Sequence, residues 1–320
     1  MTTPTILNLK VKELKSLETK LKSLSTNKPL ITASPLISVK EALRLMAIND
    51  ILCLPIQSHN NSEKVVNLVN LLDILIYLVS GVEKVVPIVS KNRTTLHSGN
   101  DLPQACYQKM SSTIEQVMTL DNSRESYRLC TCDLEDYLYD VVKTFSSGIH
   151  RAVVLKNDKP FYIITQMDIL RHLYSDISLL PKNIDYKSSL EQLGLAKVKE
   201  MTLVKKSTIA LNAYQLMATN KFTSIVVVDE ETGQLLSNLS ASSLRGISQP
   251  TLESLLLPVQ EFMKKSLRGI RPLVYGEPSM SFEEAIKKMV EMNVHHLWLV
   301  DENQKPYSTV SPYDIFKLFF

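Results

Sequence analysis

The chain has 320 residues, 44% of them hydrophobic, so it is long enough for two domains and too apolar to be disordered. A formal net charge of only +3 argues against a general nucleic-acid binder, and no apolar run reaches the roughly 20 residues of a membrane span. The start, from Met1 to Pro4, lacks the basic and apolar segments of a signal peptide. The four cysteines include no Cys-x-x-Cys pair, so we expect no metal site and an intracellular location.

The first predicted element is a basic amphipathic helix. Between Ile6 and Ser25, leucine and valine recur every three or four residues among lysines. A helix of this kind can lie on a membrane surface, but it more commonly packs on its own domain. We expect this helix to pack on the rest of the fold.

Four copies of one pattern follow, each with a short strand, an amphipathic helix, two strands around a polar turn and a second helix. In the first copy Ser38 and Glu41 have the spacing of a helix cap, and Ser281 and Glu284 repeat it in the fourth. This internal repeat predicts an α/β fold in which no unit covers its own apolar helix face. We therefore expect two tandem modules, pairing the first repeat with the second and the third with the fourth.

The repeat also sets the predicted domain boundaries. Between the first and second copies the pattern weakens, and turn signals appear at Ser98, Gly99 and Asn100, which indicates a linker or insertion. The predicted organisation is an N-terminal helix at 1–28, a linker at 81–110, and repeats at 29–80, 111–176, 188–248 and 255–320.

Polar residues recur at the joint between the last strand of each repeat and its second helix. The four pairs, three residues apart, are Asn70 and Asp73, Thr165 and Asp168, Ser240 and Ser243, and Ser311 and Asp314. This spacing is typical of a capping box, which would be purely structural. A carboxylate at a helix start can also accept hydrogen bonds from the two hydroxyls of a ribose, and helix N–H groups favour a nearby anion.

A second joint, just before the strand that follows the first helix, is basic in alternate copies. It contains His150 and Arg151 in the second copy and His295 and His296 in the fourth. Arg and protonated His suit phosphate oxygens, whereas a lone His at a strand end is commonly a surface residue. We expect no metal at the histidine pair, because neighbours on a strand face opposite ways and no further ligand is suitably spaced.

Taken together, these motifs resemble the CBS (cystathionine-β-synthase) domain repeats in gamma regulatory subunits of AMP-activated and SNF-type protein kinases. The stretches Ser240 to Gly246 and Val294 to Asp301 are similar to the plant gamma-like branch in particular. The resemblance implies clefts for AMP, ADP or ATP as a regulatory ligand, with no cofactor required. It also implies a kinase catalytic subunit and a beta-type scaffold subunit as partners, in the cytoplasm or the nucleus.

The resemblance further implies that the aspartates bind ribose and the basic residues contact phosphate. The implied ligand-binding residues are Asn70, Asp73, His150, Arg151, Thr165, Asp168, Ser240, His295, His296, Ser311 and Asp314. With Ser243 in place of aspartate, the third site is implied to be empty or altered.

Two departures from the family pattern are visible. A glycine that lets the backbone approach the base is replaced by larger residues, at Asn67, Tyr162, Ser237 and Ser308. His296 stands in place of an arginine, and we expect it to make the local charge depend on pH.

The leading hypothesis is a regulatory adenine-nucleotide-sensing subunit of a serine/threonine protein kinase complex, which acts by binding and not by catalysis. The chain contains no Walker or Rossmann glycine loop, no Gly-x-Ser-x-Gly and no His-Glu-x-x-His. The alternative is a stand-alone CBS-pair nucleotide sensor or scaffold that self-associates and regulates another target.

Overall fold

A computed structural model describes residues 5–14, 30–81, 86–90, 93–97, 107–118, 129–245, 252–266 and 273–320 of the chain. The chain forms two compact units, each assembled from segments that are distant in sequence. The even-repeat unit, named for the second and fourth repeats, comprises Met1–Leu30, Leu129–Met201 and Val274–Phe320. The odd-repeat unit, with the first and third repeats, comprises Ile31–Arg128 and Thr202–Leu273.

The first repeat begins its first helix at the predicted cap, where the Ser38 hydroxyl accepts a hydrogen bond from the Glu41 N–H at 3.1 Å. Its elements are α1 (Val39–Ile48), β1 (Cys53–Gln57), β2 (Val65–Asn70) and α2 (Leu71–Val79). After it come the strands β3 (Val86–Ser90) and β4 (Arg93–His97) and the short helix α3 (Ile114–Met118). The predicted linker at 81–110 therefore contains an antiparallel hairpin, in which Val86 pairs with His97 and Ser90 with Arg93.

The second and third repeats each contain a three-stranded sheet, with the first strand parallel and the third antiparallel to the middle one. The second has β5 (Thr131–Asp133), α4 (Leu138–Phe145), β6 (Arg151–Lys156), β7 (Lys159–Thr165) and α5 (Gln166–Ser175). The third has β8 (Leu203–Lys205), α6 (Ala210–Asn220), β9 (Ser224–Val228) and β10 (Leu235–Ser240). In place of a second α-helix, the third repeat continues with a 3₁₀ turn at Ala241–Leu244.

The fourth repeat has the same sheet order and begins its first helix at the second predicted cap. Helix α7 (Val259–Lys265) precedes it, and its elements are β11 (Tyr275–Gly276), α8 (Phe282–Glu291), β12 (Leu297–Val300), β13 (Pro306–Val310) and α9 (Pro312–Lys317). The Ser281 hydroxyl accepts a hydrogen bond from the Glu284 N–H at 3.2 Å, as its spacing predicted. The predicted α/β repeat is thus present in full in the second and fourth copies, while the first has a two-stranded sheet and the third ends in a 3₁₀ turn.

Each unit has one hydrophobic core that joins two repeats. In the odd-repeat unit α2 and α6 contribute to the same core, where the ring of Tyr214 meets that of Phe262 edge-on at 5.6 Å. In the even-repeat unit α4, α5, α8 and α9 share a core that includes the fully buried Phe145 and Phe282. Cores that join the first repeat with the third and the second with the fourth correct the prediction of pairing in chain order. Helices buried on so much of their surface need a second layer, and a non-consecutive repeat provides it.

The N-terminal segment departs from its predicted helix in the part that is described. Ile6–Asn8 and Val11–Glu13 are separate 3₁₀ turns, and Leu9 between them is extended. The turns are separated because the Leu9 carbonyl accepts a hydrogen bond from the Leu138 N–H at 2.8 Å. The segment packs into the even-repeat core, as expected, and residues 15–28 of the predicted helix lie outside the described part. Within the described ranges, no helix has the length and apolar character needed to cross a membrane.

Candidate functional site

The second-repeat joint is a reciprocal capping box between β7 and α5. Thr165 is the N-cap, and its hydroxyl accepts a hydrogen bond from the Asp168 N–H at 3.3 Å. In return, Asp168 Oδ2 accepts hydrogen bonds from the Thr165 N–H at 2.8 Å and from its hydroxyl at 2.6 Å. Asp168 Oδ1 faces Arg171 Nη1 at 3.4 Å. The predicted pair is therefore structural through one carboxylate oxygen, while the other oxygen makes the longer contact with Arg171.

Burial dominates the electrostatics of this carboxylate. Asp168 is 7% exposed, and desolvation raises its pKa above the ordinary value of 3.8. The hydrogen bonds from Thr165 and the charge of Arg171 oppose this effect but are smaller. A buried carboxylate with a raised pKa would gain from further hydrogen-bond donors, which a bound ligand could supply.

The fourth-repeat joint repeats this geometry with one difference. Asp314 Oδ2 accepts hydrogen bonds from the Ser311 N–H at 2.9 Å and from its hydroxyl at 2.7 Å. Asp314 Oδ1, however, accepts a hydrogen bond from Lys199 Nζ at 2.8 Å. The same ammonium also donates to the Thr309 carbonyl at 2.8 Å. Lys199 lies outside the repeats' matched joints, and no sequence motif singled it out.

The odd-repeat unit contains the remaining two strand-to-helix joints, those of the first and third repeats. The side-chain oxygen of Asn70 accepts hydrogen bonds from the N–H groups of Leu72 and Asp73 at 2.8 and 3.1 Å, and Asp73 Oδ2 accepts one from the Asn70 N–H at 2.8 Å. Asp73 is thus the third residue of its helix, as Asp168 and Asp314 are of theirs. The predicted equivalence of these three helix starts is confirmed. At the third joint Ser240 caps only the 3₁₀ turn, with its hydroxyl 3.2 Å from the Ser242 N–H.

The two joints of a repeat lie next to each other because of one main-chain hydrogen bond. In the second repeat the Gln166 N–H, at the start of α5, donates to the His150 carbonyl at 3.1 Å. The same bond joins Leu71 to Leu52 at 3.2 Å and Ala241 to Thr223 at 2.9 Å. The fourth repeat has Pro312 at this helix position, which has no N–H to donate. The basic joint and the carboxylate joint of the second repeat, separated in sequence, thus lie side by side.

The predicted basic residues of the second and fourth repeats interact electrostatically within the even-repeat unit. The pKa of His296 is lowered to about 4, first by desolvation and then by the charge of His150, while the charge of Asp314 opposes the shift. The pKa of His295 is also lowered, first by desolvation and then by the charges of His296, Arg151 and His150. The structure therefore brings together side chains that the sequence places about 145 residues apart.

These shifts correct one prediction about charge. With a pKa of about 4, His296 is neutral around pH 7, so it does not supply the near-neutral pH dependence expected from its sequence position. Its ring stacks on Trp298 with centroids 5.5 Å apart and planes 16° apart, which favours a fixed orientation. Permanent positive charge at this site comes instead from Arg151 and from Arg171, whose position three residues after Asp168 could have indicated it.

The four residues at positions where the resemblance implies a glycine each have contacts of their own. Ser308 is fully buried and donates a hydrogen bond from its hydroxyl to the Lys197 carbonyl at 2.7 Å. Asn67 accepts one from the Leu68 N–H at 2.7 Å, and the Ser237 hydroxyl lies 3.7 Å from the Met263 sulfur. Tyr162 is half-buried in β7. Among the described residues no group of three or more His, Cys, Asp or Glu could hold a metal ion.

Comparison with known families defines the class of protein. The CBS domain family matches this chain over residues 21–80, 125–175 and 259–320, which is more than half of its length. These ranges cover the first predicted repeat and most of the second and fourth, with their capping boxes and both basic joints. The chain therefore belongs to the CBS domain family.

Individual relatives include gamma-type regulatory subunits of protein kinases. The SNF1-related protein kinase regulatory subunit gamma-like PV42a of Arabidopsis thaliana is 25% identical over 246 residues, which are 66% of this chain and 68% of that protein. The 5'-AMP-activated protein kinase subunit gamma-3 of Homo sapiens is 27% identical over 184 residues, 56% of this chain but only 37% of the human protein. The resemblance to gamma-type subunits and to the plant gamma-like branch is confirmed.

A solved structure confirms the fold over nearly the whole chain. Protein MJ1225 of Methanocaldococcus jannaschii has a TM-score of 0.66 and covers 92% of this chain and 97% of its own. Because its sequence identity is 18%, it is evidence for the fold alone.

Proposed function

We propose that this protein is a regulatory adenine-nucleotide-sensing subunit of a serine/threonine protein kinase complex, and that it acts by binding and not by catalysis. The observation that carries the proposal is the second-repeat joint, where a buried carboxylate, Asp168, lies beside the basic pair His150 and Arg151. The gamma-type relatives support the kinase assignment, since two of them are named as subunits of SNF1-related and AMP-activated protein kinases.

The chemistry of this joint suits a nucleotide. Asp168 Oδ1 can accept hydrogen bonds from ribose hydroxyls, because Asp168 Oδ2 is already held by Thr165. Arg151 can contact phosphate oxygens with two parallel hydrogen bonds, while Arg171 adds permanent positive charge. AMP, ADP or ATP would then be a regulatory ligand, and no cofactor is required.

The proposed ligand contacts extend beyond the second repeat. Thr165 positions Asp168, and the carbonyl of His150 accepts a hydrogen bond from Gln166 at the start of the helix. The remaining proposed ligand-binding residues are Asn70, Asp73, Ser240, His295, His296, Ser311 and Asp314. Of these, Asp73 and Asp314 occupy the same helix position as Asp168.

Regulation by binding requires a partner that has activity. We propose a kinase catalytic subunit together with a beta-type scaffold subunit, in the cytoplasm or the nucleus. A bound nucleotide would regulate such a complex only if its affinity differed between two states of the assembly.

The experiment is a pull-down of the tagged full chain from cell extract, followed by native mass spectrometry and a kinase assay with and without AMP. Co-purification of a serine/threonine kinase whose activity responds to AMP is expected. A stable homo-oligomer with no kinase subunit would instead favour a self-associating sensor that regulates another target. S-adenosylmethionine is a useful fourth ligand beside AMP, ADP and ATP, because it shares the adenosine group and carries no phosphate.

A further inference from the structure

The segment that precedes β8, the first strand of the third repeat, is held against β13 in the even-repeat unit. The Lys199 N–H donates to the Tyr307 carbonyl at 3.3 Å, and the buried Ser308 hydroxyl donates to the Lys197 carbonyl at 2.7 Å. These two hydrogen bonds fix residues 197–199 alongside the strand that leads into the fourth-repeat joint. One of them uses the serine that replaces the family's glycine.

From this position Lys199 reaches the carboxylate of the joint. Its ammonium donates one hydrogen bond to Asp314 Oδ1 and one to the Thr309 carbonyl, both at 2.8 Å. Because Ser311 already donates to Asp314 Oδ2, both carboxylate oxygens have partners within the chain. An ammonium donating to Oδ1 makes the type of contact that a ribose hydroxyl would make there, with an added positive charge.

The equivalent carboxylate of the second repeat differs in this respect. Asp168 Oδ1 makes a longer contact, 3.4 Å from Nη1 of Arg171, a neighbour on the same helix. Two joints with the same capping box therefore differ in the cation at the second oxygen. The difference arises because residues 197–199, which lie outside the fourth repeat, place Lys199 beside Asp314. The repeat pattern alone did not predict this contact.

We propose that Lys199 is a specificity-determining residue that occupies the Asp314 carboxylate in place of a ligand's hydroxyls, so that nucleotide binds at the Asp168 joint in preference to the Asp314 joint. This inference rests on the proposed function, because it concerns the same kind of ligand. To bind at Asp314, a nucleotide must displace a charge-assisted hydrogen bond, which carries a penalty of about 10-fold in affinity. An exposed ion pair alone would impose a smaller penalty on nucleotide binding. Here the Lys199 ammonium also donates to the Thr309 carbonyl, and the Lys199 N–H is bonded to the Tyr307 carbonyl.

The test is isothermal titration of the full chain with AMP in wild type and five variants. Lys199→Ala removes the ammonium, and Lys199→Arg restores a cation. Lys197→Ala removes an exposed charge two residues away but keeps the carbonyl that Ser308 binds. Asp168→Ala, alone and combined with Lys199→Ala, distinguishes AMP binding at the Asp168 joint from AMP binding at the Asp314 joint. Circular dichroism checks that each variant is folded.

We expect wild type to bind AMP at a site that Asp168→Ala removes. Lys199→Ala should add a second site or tighten weak binding about 10-fold, and this gain should persist in the double variant. Lys199→Arg and Lys197→Ala should behave as wild type. If Lys199→Ala bound AMP no better than wild type does, the role of Lys199 would be overturned while the proposed function stood. If neither wild type nor any variant bound AMP, ADP or ATP, the role of Lys199 and the proposed nucleotide-sensing function would both be overturned.

Discussion

Asp168→Asn is the substitution that best separates ligand binding from fold stability at the second-repeat joint. The asparagine has nearly the same shape, and its oxygen can keep the 2.8 Å hydrogen bond from the Thr165 N–H. It cannot offer a charged acceptor to a ribose hydroxyl. A hydrogen bond to a charged group contributes about 1.5–3 kcal/mol, so AMP should bind roughly 10- to 100-fold more weakly.

Stability should respond differently, because burial raises the pKa of Asp168 above 3.8 in the folded state. The neutral carboxylic acid of Asp168 therefore stabilises the fold at low pH, and this contribution is lost as pH rises through the folded-state pKa. At pH 7 the neutral amide avoids the cost of a buried charge, which offsets the loss of a strong cap. We expect the free energy of unfolding to change by less than about 1 kcal/mol.

The assays are titration calorimetry with AMP and urea unfolding at pH 7. Asp140→Asn on α4 is the control, because that carboxylate is exposed and lies outside the joint. Unchanged AMP affinity in Asp168→Asn would refute the assignment of this carboxylate to ribose. A loss of stability of several kcal/mol would show instead that the residue acts mainly as a helix cap.

Three further outcomes are expected. In wild type the pKa of His296 is lowered from 6.5 to about 4, so the neutral ring stabilises the fold above pH 6.5. This contribution to the free energy of unfolding, up to about 3 kcal/mol, is lost as pH falls towards 4. In His296→Phe the free energy of unfolding should therefore fall less on acidification. Urea unfolding at pH 7 and pH 5, with His59→Asn as control, measures this. Ser281→Ala should cost about 1 kcal/mol in urea unfolding through loss of the α8 cap, and Ser281→Asp should retain most of it. AMP at about 100 times its Kd should stabilise the chain by about 2.7 kcal/mol, which a thermal shift would detect and Asp168→Asn should abolish.

Much of the local structure followed from the sequence because it depends on spacing within one turn of helix. Ser38 and Ser281 begin their helices where predicted, and each accepts its hydrogen bond from a residue three positions later. The capping boxes at Thr165 and Ser311 are equally local. Where a distant residue competes for the backbone, the local prediction was wrong. Leu9, for example, bonds to Leu138, and the predicted N-terminal helix is interrupted there.

By itself, then, the sequence determined the fourfold repeat, its helix caps and the two joints, because each rests on residues a few positions apart. Only the tertiary structure decided which repeats share a core, since all four helix faces carry the same apolar pattern and any could pack on any other. It also decided that Lys199, 115 residues before Asp314 in the chain, bonds to that carboxylate. The lowered pKa of His296 has the same origin, because desolvation depends on what packs around a ring and not on its neighbours in sequence.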